Sequence, residues 1–461
     1  MKGVSKIAIM FIFLFGVFLT ACAPSADSSG EGKNQSDKGG SDTTLTIATV
    51  NNPDMKSMQD LTSEFTDETG IKVNYIVLPE NELRKKVTED VALGAGKFDI
   101  ATIGTYDAPI WAKNKWLISL DDYFNKMSDK EKANYDLDDV FAPIKNALSY
   151  NKQLYALPFY GESSMLYYNK NILKASGVAM PLHPTWQQVA DAAVKIKEKT
   201  GKTGIVLRGL PGWGEMMAPL DTVINAFGGK WYNENWKAQL TNPQTEQAVQ
   251  FYVDLLHKAG EPGATSTGYT EALTLMSQGK AGMWYDATAG AGNLNDKENS
   301  NIVGKVGYAY APTANKKNTG WLYAWSLGIE KSSKHKDAAF KFLTWATSKD
   351  YVKLVGDKKG WVVAPPGTRK STYDNPDYKM AAPFADIVRN SLEHADYDHP
   401  TIDPVPYKGV QYVEMPEFSG LGTEVSQQIA SAISGDTSVK KALDSSQKLA
   451  DQSAKKGGYR K

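Results

Sequence analysis

The segment Arg208–Glu215 carries a guanidinium, an indole and a carboxylate within a Gly- and Pro-rich stretch. A guanidinium donates hydrogen bonds in a fixed fork and a carboxylate only accepts them. An indole adds a flat apolar face. Two further stretches have a similar mixture: Asn51–Asp54, and Gly104–Pro109 with Trp111 close behind. Together they suit a neutral polyhydroxylated ligand. Each of its hydroxyls donates and accepts, so Asn, Asp, Glu and Arg satisfy it, while aromatic rings cover the C–H faces between hydroxyls. An anionic ligand would require several converging cations, and Arg208 stands alone. Eleven Trp and 23 Tyr supply rings in abundance, most of them for packing. Trp345, on a helix, reads as core, and Asn51 reads equally as a ligand contact or a turn former.

Catalytic signatures are sparse. Gly263–Thr270 imitates a phosphate loop but has Tyr269 where lysine would contact phosphate. No H-E-x-x-H or G-x-S-x-G motif occurs. The spacing of His394 and His399 matches no helical zinc pair and reads as a solvated loop. Asp136–Asp139 lacks the turn glycine and twelfth-position Glu of a calcium loop and reads as a helix N-terminus. A glycoside hydrolase needs only two suitably spaced carboxylates, so that alternative stays open.

The elements that must position these residues alternate. Leu45–Val50 is a β-branched run, and Met55, Met58, Leu61 and Phe65 then recur at helical spacing until Gly70. Ile71–Val77 alternates as a strand; Leu83, Val87 and Val91 mark a second helix ending at Gly94; Phe98–Ile103 is a buried strand. This β-α-β-α-β order predicts an α/β fold with a largely parallel sheet, in which ligands bind beyond the carboxyl ends of the strands. All three polar stretches follow predicted strands, the last of them Gly204–Leu207. Thr185 and Gln188 have capping-box spacing. Asp337–Thr347 predicts an amphipathic helix, and Glu424–Ala454 predicts a polar surface helix.

The 461 residues suggest two or three domains, and 41% apolar with 23% charged residues is a globular balance. Fifty-two basic residues offset 52 acidic ones, which argues against nucleic-acid binding. The single cysteine, Cys22, excludes a disulfide framework or an iron–sulfur cluster. It closes an apolar run, Ile7–Ala21, too short for a comfortable membrane span. This resembles a bacterial lipoprotein signal in which Cys22 is lipidated and becomes the new N-terminus. Residues 23–43 are rich in Ser, Gly, Asp and Lys and read as a flexible tether.

Beyond these patterns, the chain resembles the extracellular solute-binding proteins of bacterial ABC importers, in their carbohydrate group. The blocks Phe98–Gly104, Leu154–Phe159, Leu166–Lys170 and Lys334–Ala339 carry that resemblance. Thr102–Tyr106, Pro158–Met165, Arg208–Glu215, Gly282–Thr288, Trp321–Trp325, Pro365–Arg369, Asp403–Tyr407 and Gly409–Phe418 are similar to the sorbitol- and mannitol-binding members. The resemblance spans residues 45–442. It implies two α/β lobes joined by hinge segments, with the ligand cleft between them. The first lobe is expected from residues 44–160 plus 315–370, and the second from 161–314 plus 371–455, after a signal (1–21) and tether (22–43). It further implies ligand contacts from Asn52, Thr105 and Tyr106 of the first lobe and an acidic contact at Glu162 after the first crossing. Arg208, Trp213, Trp284 and Asp286 would come from the second lobe. Trp325 would stack on the ligand from a later crossing, and Arg369 would line the rim. Some of these have other readings: Arg208 as a salt-bridge partner of Glu215 or Glu162, Trp325 as hinge packing, and Asp286 as the cap of a helix starting at Ala287.

The expected activity is capture of a small neutral polyol or sugar, without cofactor, metal or catalysis, by a monomer. A mono- or oligosaccharide is the alternative cargo. The expected partners are the ABC permease membrane subunits, and the lipid on Cys22 would hold the protein at the outer face of the cell membrane.

Overall fold

A computed structural model describes residues 43–460; the signal and tether expectations, Cys22 included, lie outside the described residues. In chain order the main elements are β1 (Thr44–Val50), α1 (Pro53–Thr69), β2 (Lys72–Leu78), α2 (Glu80–Leu93), β3 (Ile100–Gly104), β4 (Ala156–Glu162) and β5 (Ser164–Asn169). There follow α3 (Trp186–Thr200), β6 (Thr203–Val206), α4 (Met217–Phe227), α5 (Pro243–Ala259), α6 (Tyr269–Ser277), β7 (Ala281–Ala287) and β8 (Val306–Tyr310). Last come β9 (Tyr323–Ile329), α7 (Lys336–Ala346), α8 (Phe418–Ile433) and α9 (Val439–Lys456).

Local signals account for the helix ends. Asn52 caps α1 by accepting from the Met55 amide, and Pro53 at the first turn has no amide to satisfy. Gly70, at φ 72°, closes α1 in the left-handed conformation. The Thr185 and Gln188 capping box forms at the start of α3. Met55, Met58, Leu61 and Phe65 all face the core.

Two sheets organise the chain into two lobes. The first has the order β2-β1-β3-β9-β4 and the second β8-β5-β7-β6. The chain passes from the first to the second at Ser163, between β4 and β5, and returns between β8 and β9. β1, β2 and β3 are parallel, but β9 runs antiparallel to both β3 and β4. In the second sheet only the β6–β7 pair is parallel. In each sheet all strands but one therefore share a direction, as expected of a largely parallel sheet; the exception is a strand that crosses the lobe boundary, β9 in the first sheet and β5 in the second.

Three expectations need correction. The C-terminal helix is two helices broken at Gly435 (φ 84°), and α8 buries Phe418, Leu421, Val425 and Ile429 rather than lying on the surface. Asp136 ends a helix, Asp129–Tyr135, in the left-handed region and opens only a single 3₁₀ turn, Leu137–Asp139, rather than an α-helix. Asp286 lies in β7 and caps no helix at Ala287, although its carboxylate does accept from the Ala287 amide.

Candidate ligand-binding site

A cavity of about 250 Å³ lies between the carboxyl ends of β1 and β2 on one side and of β6 on the other. It is small for a ligand pocket, whose usual range begins at about 300 Å³, so it fits a compact solute better than a long saccharide.

From the first lobe, β1 runs into Asn52, whose Oδ1 caps α1 while its Nδ2 donates to the Tyr160 hydroxyl at 2.9 Å. Both ends of this amide are thus fixed. β2 runs through Pro79 into α2, whose first two turns supply Glu80 and Arg84. Arg84 Nε and Nη2 donate to Glu80 Oε1 at 3.0 and 2.9 Å, and Nη2 donates to the Tyr323 hydroxyl at 3.0 Å. Its guanidinium lies 4.1 Å from the Trp213 ring centre and 4.6 Å from that of Trp325. An arginine of the first lobe is therefore held between two indoles, Trp213 following β6 and Trp325 on β9, a favourable cation–π arrangement.

From the second lobe, the parallel register pairs Val206 with Trp284, which carries Arg208 alongside Asp286 two residues further along. Arg208 Nε and Nη2 donate to the two Asp286 oxygens at 2.8 and 2.5 Å. Trp284 Nε1 and the Ala287 amide complete the shell of that carboxylate at 3.0 and 2.6 Å. Arg208 Nη1 donates to the Gly214 carbonyl at 2.9 Å and lies 3.5 Å from Glu215 Oε2. Among the described residues, one hydrogen on Arg208 Nη2 has no acceptor. Glu215 accepts from the Tyr269 amide at 3.1 Å, and the Tyr269 ring lies 5.1 Å from the Arg208 guanidinium.

Glu162, the last residue of β4, faces this cavity. Burial pushes its carboxyl up to about 8, Arg208 opposing and the Asp286, Glu80 and Asp54 charges adding to the rise. Glu215 is raised as well, by burial and then by Glu80. The site thus holds carboxyl groups that resist ionisation beside two permanently charged guanidinium groups, giving donors and acceptors of both kinds. A second, polar recess of about 650 Å³ adjoins the cavity at Asn51, Asn52 and Thr270.

Of the residues singled out in the sequence, Asn52, Glu162, Arg208, Trp213 and Trp325 line the cavity. Thr105 and Tyr106 are buried behind it. The Thr105 hydroxyl accepts from Tyr412, and Tyr106 donates to the Met415 carbonyl at 3.0 Å while accepting from the Ser419 amide. They anchor the segment before α8 rather than line the cavity. Trp284 and Asp286 are fully buried, Trp284 stacked on Tyr167 with ring centres 4.8 Å apart. They support Arg208 from below. Arg369 is not at the rim. It is buried in an ion pair with Asp139 at 3.2 Å and donates to the Thr347 and Asp136 carbonyls.

Sequence reasoning left out Glu80, Arg84, Tyr160, Tyr269, Trp321, Tyr323 and Gln411, all at the cavity. The strand-end rule, applied after β2 as it was after β1 and β3, finds Glu80 and Arg84. Period-two alternation through Trp321, Tyr323 and Trp325 puts all three on one side. Tyr269 and Gln411 follow no strand, and although Gln411 lies in the Gly409–Phe418 block, neither was marked out as a contact.

The Bacterial extracellular solute-binding protein family model matches residues 49–353. The mannitol-binding protein of Pseudomonas aeruginosa is 42% identical over 421 residues, covering 91% of this chain and 94% of that protein. The erythritol/L-threitol-binding protein of Mycolicibacterium smegmatis is 26% identical over 358 residues, 74% of each. Among solved structures, an ABC transporter solute-binding protein from Agrobacterium vitis with bound D-mannitol superposes with a TM-score of 0.88 at 48% identity, covering 91% of this chain and 100% of that one. A solute-binding protein from Agrobacterium radiobacter in complex with ribitol superposes with a TM-score of 0.79 at 25% identity, covering 89% and 98%.

Proposed function

Because the chain belongs to the family of bacterial extracellular solute-binding proteins, we propose that it captures a linear polyol, D-mannitol foremost, for an ABC importer. The observation that carries this reading is the small cavity between the lobes, with guanidinium, carboxyl and indole groups from both sides. The residual Arg208 donor and the Glu162 and Glu215 carboxyls would orient the hydroxyls, and Trp213 and Trp325 would cover the carbon chain. The ligand would bind the closed lobes better than the open ones and so shift the hinge equilibrium towards closure. The cargo leaves chemically unchanged. The lobes divide near residues 160, 314 and 370, a lipid on Cys22 tethers the mature protein outside the membrane, and the closed form docks on permease subunits.

Calorimetry with mannitol, sorbitol, arabitol, xylitol, glucose and maltose tests the ligand class. The expected result is tightest binding of mannitol, recovered intact after release. Tighter binding of maltose would remove the polyol assignment and leave an importer for sugars, and release of product from nitrophenyl glycosides would replace the carrier by a hydrolase.

A further inference from the structure

Four lysines stand at one edge of the second sheet, one for each strand. Lys202, Lys280 and Lys305 immediately precede β6, β7 and β8, and Lys170 immediately follows β5. β6 runs parallel to β7, β5 runs antiparallel to β7, and β8 runs antiparallel to β5, so all four lie at the same end of the strands. The register pairs Thr203 with Ala281, which sets Lys202 beside Lys280. On the other side the Lys170 amide donates to the Lys305 carbonyl at 2.8 Å. At a strand spacing of about 4.8 Å the row is roughly 14 Å long. All four residues are exposed.

Charge at this edge is unbalanced. Residues 169–178, 193–204, 278–282 and 301–307 border it and contain eight lysines against one carboxylate, Glu198, in a chain that is neutral as a whole. Lys195, Lys202 and Lys305 donate to the backbone carbonyls of Gly177, Gly279 and Asn301, and none of the eight is ion-paired among the described residues. Asp296 and Glu298, earlier in the loop that leads to Lys305, line the polar recess instead. Local structure explains part of the excess, since Lys197 and Lys199 close the last turn of α3, where the helix dipole favours a cation. It does not explain the row. Lys170 opens the helix Lys170–Ala175, the end at which a cation is disfavoured, and like charges side by side repel.

We infer that this edge of the second lobe is a docking surface for a bilayer containing anionic phospholipid. The four lysines are spread along a sheet edge rather than gathered round a point, so they match a plane of negative charge better than a single anion. Because the family is extracellular and the proposed permease lies in a membrane, that plane is the outer face of the bilayer. Each lysine held near such a surface strengthens binding about fivefold. The cavity lies beyond the other end of these strands, roughly 20 Å away along the seven residues of β7, so a docked protein stays free to load its ligand.

The test is sedimentation of the mature chain, residues 22–461, carrying Cys22→Ser so that no attached lipid contributes. The vesicles are phosphatidylcholine alone, or phosphatidylcholine with about one-third phosphatidylglycerol. Binding is expected only to the second kind and should vanish near 1 M salt, where the Debye length is about 3 Å. Lys170→Gln, Lys202→Gln, Lys280→Gln and Lys305→Gln together should weaken it by about a hundredfold or more. If that variant does not fold, the pairs Lys170→Gln/Lys305→Gln and Lys202→Gln/Lys280→Gln serve, each with a loss of roughly 25-fold. A control replaces four exposed lysines of the first lobe by Gln, at Lys72, Lys86, Lys130 and Lys331. It has the same net charge as the fourfold variant and should lose far less. Equal losses in the two variants, equal binding to the two kinds of vesicle, or retention by soluble polyphosphate without binding to vesicles would overturn the assignment.

Discussion

Asp286→Asn changes one oxygen to nitrogen in a carboxylate that does not line the cavity, and it isolates what holds Arg208 in place. Each Asp286 oxygen receives two donors: Oδ2 from Arg208 Nε and Trp284 Nε1, Oδ1 from Arg208 Nη2 and the Ala287 amide. An amide placed there must turn its NH₂ towards two of those donors whichever way it flips. The guanidinium, buried and fully charged, loses its counter-ion and keeps the Gly214 carbonyl and the more distant Glu215. Breaking a buried pair by removing one partner costs about 3–5 kcal/mol, most of it from the charge left behind. Urea unfolding of the ligand-free protein should show that loss for Asp286→Asn. The double variant Arg208→Met/Asp286→Asn removes both charges and should be less destabilised than the sum of its parents by about 2–3 kcal/mol, the coupling expected for contacting residues. Mannitol affinity should fall in the single variant even though Asp286 does not face the cavity. A midpoint within about 0.5 kcal/mol of wild type, or strict additivity in the cycle, would refute the view that this carboxylate pre-orients Arg208.

The remaining predictions concern the same site. Burial holds the Glu162 carboxyl at about 8 against an unfolded value of 4.5, so between those values the folded protein retains a proton that the unfolded chain has released. Stability of the ligand-free protein should therefore fall as pH rises through this window, and Glu162→Gln should flatten the decline; parallel profiles would be contrary. Trp325→Ala should leave the protein folded and weaken polyol binding by about 1–3 kcal/mol, whereas Trp284→Ala should cost about 3–5 kcal/mol of stability by emptying a buried stack; paired melting and calorimetry separate the two. A Cβ on Gly104 would lie 1.8 Å from the Tyr323 hydroxyl, so Gly104→Ala must displace Tyr323 and release Arg84. Calorimetry should show weakened mannitol binding, and wild-type affinity would remove Tyr323 from the argument.

Much of the framework was legible because it rests on short-range interactions. Apolar spacing in α1, the Asn52 and Thr185 caps and the glycines at 70 and 94 act over three or four residues, and the strands alternate with period two. The strand-end rule then pointed to Asn52 and Arg208 before any contact was known. It could not separate Trp325, at the cavity, from Trp284, buried beneath it, because both are indoles on strands of similar composition. Nor could it place Arg369, whose partner Asp139 is 230 residues away along the chain.

Sequence alone therefore determined the opening β-α-β-α-β succession, the helix ends marked by Asn52, Gly70 and Thr185, and the loops rich in groups suited to hydroxyls. Only the tertiary structure decided that Arg84 of one lobe lies between Trp213 and Trp325, that Asp286 serves Arg208 rather than the cavity, and that Gln411 arrives from a segment belonging to neither sheet. The physical reason is that capping and periodicity are read between near neighbours. Which polar groups share a cavity depends instead on strand register and on crossings between lobes, where residues hundreds of positions apart meet with their hydrogen bonds still to be assigned.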